Sequence, residues 1–145
     1  MMIEQDSVRL LRECDAGVRM GAQSIEEVEP YAAAPELRRL LSVCREEHMA
    51  LGSEIRARLD RFRDKGKEPS PLTQGMSWVK TKTALTVSES DGTIADLMTD
   101  GCNMGVKSLN RYLNEYGAAE EYAKDIAKRL IKLEQGLATD LQAYL

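Results

Sequence analysis

Between Pro35 and Lys65 the residues Leu37, Leu41, Cys44, His48, Leu51, Ile55, Leu59 and Phe62 recur at intervals of three and four, and all but His48 are apolar. On an α-helix this spacing draws a single stripe along one face, whereas on a strand the same residues would fall on both faces. A stripe of that length needs partner helices to cover it. Pro35 stands at a first-turn position, where its missing N–H is no loss, and the segment stops near Gly66, ahead of "KEPSP".

Three further segments carry the same period. Leu11, Cys14, Val18, Ala22 and Ile25 predict a helix over 3–29, closed by a turn between Pro30 and Pro35. Met98, Cys102, Gly105, Leu109 and Tyr112 predict one over 92–116. After a turn at Gly117, Ile126, Leu130, Leu133, Leu137, Leu141 and Tyr144 predict another that reaches Leu145. Strand signals are nearly absent, with few β-branched runs, one Phe, one Trp and five Tyr. Residues 66–90 form a weaker connector in which "GMSWVKTKTAL" suggests a short helix showing Trp78, Val79 and Leu85 to the body, with Trp78 at least half buried. The expectation is an all-α chain, one domain over residues 1–145, of four long helices in two hairpins.

The hairpins repeat one design. "GVRMGAQSI" at 17–25 aligns with "GCNMGVKSL" at 101–109 at an offset of 84, and "LGSEIRARL" at 51–59 aligns with "LATDLQAYL" at 137–145 at an offset of 86. The alignment pairs Met20 with Met104 and His48 with Glu134. A connector of this length can span a helix of ~40 Å (~1.5 Å per residue), so a bundle with one long crossover is favoured over a simple up-down-up-down order. In that topology the first and third helices are antiparallel neighbours. Gly17 and Gly21 would then face Gly101 and Gly105 at a close crossing with no room for carboxylates.

Composition excludes several roles. The 24 acidic residues exceed the 20 basic ones for a net charge of −4, and the two signs alternate, so no basic footprint for nucleic acid is present. Apolar runs fall far short of the ~20 residues that cross a bilayer, and "MMIEQDSVRL" is acidic where a secretory leader is basic. A soluble, cytoplasmic protein with no membrane partner is expected. Cys14, Cys44 and Cys102 lack C-x-x-C spacing and read as reduced thiols.

"PELRRLL" at the start of the second helix, the connector "WVKTKTAL" and the Tyr of "SLNRYL", set in two hairpins of long helices, resemble the ferritin-like superfamily. The likeness is to its small, rubrerythrin-related branch of unknown function and covers nearly the whole chain. The resemblance implies a ferritin-like four-helix bundle of two repeated hairpins with a long crossover containing a short helix. Metal-binding members use one Glu from each of two helices and Glu-x-x-His from each of the other two. Here Arg45 stands three residues before His48, and Ile131 three before Glu134, so both patterns are broken and no di-iron ligand set remains.

The inward position of His48 fits a neutral core histidine bonded to a backbone carbonyl or hydroxyl. The alternative groups His48, Cys44, Cys102 and Glu134 at mid-bundle as a mixed set for a single zinc-like or iron ion. Glu46 and Glu47 read as a solvated face, and Asp15 and Glu134 flank apolar stripes. No Ser-His-Asp arrangement, phosphate-binding glycine loop or dinucleotide fingerprint is present. The function expected is therefore non-catalytic, with no cofactor, acting by protein association as a homo-oligomer such as a dimer. A metal-binding stress or redox protein with a degenerate site around His48 is the alternative.

Overall fold

Four helices follow the four stripes: α1 Met2–Val28, α2 Pro35–Arg61, α3 Asp91–Glu115 and α4 Glu121–Leu141, with 3-10 turns at Glu29–Tyr31 and Gln142–Tyr144. The computed structural model describes residues 2–62 and 90–145. No strand occurs among the described residues, and no helix there is long and apolar enough to cross a membrane. The connector, with the expected short helix and Trp78, lies outside the described residues.

Residues near the starts of α1 and α3 fix the arrangement. The backbone N–H groups before α2 have no side-chain cap of their own. The Asp91 carboxylate supplies one from α3: Oδ1 accepts from the Ala33 N–H at 2.8 Å and Oδ2 from the Ala34 N–H at 3.0 Å. At the other pole, Asp6 Oδ2 accepts from the Ala118 N–H at 3.1 Å, and Ser7 Oγ accepts from the Glu120 N–H at 2.9 Å, where α4 begins. Each hairpin's first helix thus satisfies the exposed backbone donors of the other hairpin's turn. Ser90 caps α3 itself, accepting from the Thr93 N–H at 3.0 Å.

These bonds orient the bundle. α3 begins where α1 ends, and α3 ends where α1 begins, so the two run antiparallel. α1 packs against the three other helices and α4 also packs on α2 and α3, while α2 and α3 are the pair that stays apart. α1 and α4 therefore span the short diagonal.

The apolar core divides into two clusters. One, near the α1–α2 turn, gathers Ile25, Val28, Leu37, Leu41, Ile94, Met98, Leu137 and Leu141. The other, near the α3–α4 turn, gathers Leu10, Leu11, Val18, Ile55, Leu59, Leu109, Ile126 and Leu130. The α2 stripe is buried as its spacing predicts, from Leu37 to Leu59, with Phe62 half-buried at its end. On α4 the buried position is Glu134, and Leu133, expected on the stripe, is only half-buried. The buried face also includes Ala123, Ala127 and Ile131, and at about 100° per residue Glu134 falls near the centre of that wider face while Leu133 falls at its edge.

The cross-hairpin cap gives a direct expectation. Asp91→Ala removes acceptors for two N–H groups and should cost about 1–2 kcal/mol in urea unfolding, with Asp91→Asn intermediate because one carbonyl oxygen remains. An unchanged midpoint in Asp91→Ala would show that these bonds do not hold the hairpins together.

Candidate binding site at mid-bundle

Besides the cysteines, three titratable side chains among the described residues are withdrawn from solvent: Asp15 and His48 at 0% exposure and Glu134 at 1%. Burial is met differently at each. Asp15 is neutralised from two helices, with Arg19 Nε at 3.2 Å and Arg56 Nη1 at 3.8 Å. His48 places Nδ1 2.8 Å from the carbonyl oxygen of Cys44, one turn earlier. Because a carbonyl only accepts, Nδ1 carries the hydrogen, and the Cys44 sulfur lies 3.6 Å from the same nitrogen. Burial pushes the imidazole pKa below its ordinary value, and the carbonyl bond opposes that shift.

Glu134 has neither solution. Burial pushes its pKa up to about 8, so the carboxyl is mostly neutral at pH 7. Its Oε2 has no hydrogen-bond partner among the described residues. The group lies directly against Gly105 of α3: a Cβ on that residue would overlap Oε2 and stand 2.9 Å from Cδ. Glycine at 105 is thus what lets a carboxyl from α4 reach α3.

Beyond the carboxyl is a cleft of about 140 Å³ between α1 and α3. Ala16, Gly17 and Met20 line it from α1, and Met104, Gly105, Leu109, Ser108 and Tyr112 from α3, with Glu13 and Glu134 contributing carboxyls. Met104 is 59% exposed, which places the mouth at the surface. Burial raises the Tyr112 pKa, and the nearby charge of Glu13 and a hydrogen bond to its carboxylate raise it further. The volume is close to that of a cavity that admits benzene, about 150 Å³. This cleft can enclose a molecule of a few heavy atoms and present it with a carboxyl and a hydroxyl.

Of the residues expected as a metal set, Cys44 and His48 are in contact, and Cys102 lies within electrostatic reach of both Glu134 and Cys44. No group of three or more His, Cys, Asp or Glu side chains among the described residues is placed to hold a metal ion. All three cysteines are free and buried, and burial pushes Cys14 and Cys44 up to about 12 and Cys102 likewise upward, so they are neutral thiols at pH 7.

The glycines differ from expectation too. Gly21 and Gly101 are buried, but Gly17 and Gly105 line the cleft, and a carboxylate-bearing side chain occupies the space that the four were expected to deny it. Periodicity missed Glu13, Ser108 and Tyr112 as one group because they come from two helices. The sequence alignment carried part of the signal, since Met20 and Met104, which it pairs, both line the cleft, and His48 and Glu134, which it pairs, are both buried.

Comparison with family models, curated proteins and solved structures finds no match to this chain.

Two alanine substitutions test the placement of Glu134. At Gly17 the nearest atom to a new Cβ is Leu130 Cδ2 at 3.5 Å, an ordinary contact, so Gly17→Ala should stabilise by about 0.4–1 kcal/mol. Gly105→Ala should fall short of that gain by at least about 1 kcal/mol, because the carboxyl must move. In a Glu134→Ala background the shortfall should vanish. Equal gains in the two single variants, measured by thermal unfolding, would place Glu134 elsewhere.

Proposed function

We propose that this chain is a ferritin-like bundle of two repeated hairpins joined through a crossover, and that its function is the non-catalytic binding of a small molecule in the cleft beside Glu134. The topology is supported by the two poles: α2 ends at the pole opposite the one where Asp91 opens α3, which is the placement a long crossover requires. The single observation that carries the function is the Glu134 carboxyl, 1% exposed and with Oε2 unpartnered, at the inner end of a cleft whose mouth reaches solvent.

A buried polar atom without a partner is costly, typically by about 1–3 kcal/mol, and a ligand that bonds to it recovers that cost on binding. The apolar walls of Met20, Met104 and Leu109 contribute burial for the rest of such a molecule. Association between copies has weaker support. Val43 and Met49 are exposed on α2 but lie roughly 120° apart around the helix at 100° per residue, and Met104 belongs to the mouth of the cleft.

The methionines report on occupancy. With methyl-¹³C methionine labelling, a fragment of four to eight heavy atoms that binds should shift the Met20 and Met104 methyl signals together and saturably. A fragment library that moves neither signal would refute the binding role. Two iron or manganese ions per chain in untagged, natively purified protein would restore the metal-centre reading in its place.

A further inference from the structure

The charge of the cleft narrows the ligand further, and the inference rests on the binding role just proposed. Both ionisable carboxyl groups that line the cavity, Glu13 and Glu134, are acidic, and no Lys or Arg lines it among the described residues. An anionic ligand would meet the Glu13 carboxylate and no cationic side chain there. A cation entering past Glu13 is attracted at the mouth and meets a second carboxyl at the inner end.

We infer that the cleft takes a small primary ammonium compound with a short apolar body, its nitrogen directed at Glu134. An ammonium group has three N–H donors and no acceptor. The cavity offers acceptors of the matching kind in the Glu134 carboxyl, whose Oε2 is unpartnered, and the Ser108 hydroxyl. A bound ammonium favours the ionised form of Glu134, which releases its proton to solvent on binding, and the charge-assisted bonds that result are roughly twice as strong as neutral ones. The body of the ligand lies along Met20, Met104 and Leu109, where flexible thioether side chains adapt to branched or linear chains alike. About 140 Å³ accommodates four to six carbon atoms by comparison with the cavity of about 150 Å³ that holds benzene.

The test uses the full chain and three probes of nearly equal size: butylammonium, butan-1-ol and butyrate, each titrated at pH 7.5 while the Met20 and Met104 methyl signals are followed. The expected result is saturable binding of butylammonium with a Kd at least tenfold below that of butan-1-ol, and none for butyrate. Glu134→Gln should lower the preference for butylammonium over butan-1-ol at least tenfold. The wild-type comparison stands alone if that variant does not fold. Binding of butan-1-ol or butyrate as tight as that of butylammonium overturns the ammonium inference and leaves the binding role intact. If no probe shifts either methyl signal, the binding role fails and the inference with it.

Discussion

Glu134 occupies a position in α4 where the helical period calls for an apolar side chain, and its neighbours are arranged around that substitution. The two apolar clusters lie towards opposite poles, with His48 and Glu134 near the middle. Gly105 gives up a side chain where the carboxyl comes against α3. A mid-helix glycine costs up to about 1 kcal/mol relative to alanine, and here it also leaves room for the cleft through which a ligand can reach the acid. Packing, cavity and charge thus all trace to one buried carboxyl.

His48 and Glu134 align in the sequence at an offset of 86, and both are core positions that hold a titratable group. The histidine donates Nδ1–H within its own helix, to the carbonyl one turn back. The glutamate has no such partner, which is why the two positions differ chemically. The caps are likewise reciprocal, because Asp6 and Asp91, near the starts of α1 and α3, each hold the turn of the opposite hairpin.

Helix number, helix ends to within a few residues and the buried face of α2 could be read from apolar spacing, since one stripe on one face leaves few alternatives. Leu133 and Tyr144 were expected on the core face and are only half-buried, because a register that includes Glu134 looks interrupted when only apolar residues are counted. The caps were hidden for a related reason: Asp6, Ser7 and Asp91 act across hairpins, over separations that local spacing does not encode. The mid-bundle residues His48, Cys44, Cys102 and Glu134 could be picked out as inward-facing. Whether they converge on one point depends on rotamers and helix offsets of a few ångströms, and the glycines reversed their expected role on that scale.

The pH dependence of stability tests the buried neutral acid most directly. In the unfolded chain Glu134 loses its proton near 4.5, while the folded protein keeps it up to about 8. Between those values the folded state binds more protons, so unfolding free energy falls as pH rises, by at most about 1.4 kcal/mol per pH unit. His48, with its lowered pKa, contributes only a small rise with pH as the unfolded imidazole loses its proton near 6.5, and the buried thiols act mainly towards pH 9 and above. A fall in the stability measured by urea unfolding between pH 6.5 and 8 therefore reports Glu134. The account predicts a loss of about 1–2 kcal/mol across that interval in the wild type and a level or slightly rising profile in Glu134→Gln. A wild-type profile that is flat or rising, or one whose slope survives in Glu134→Gln, would contradict it.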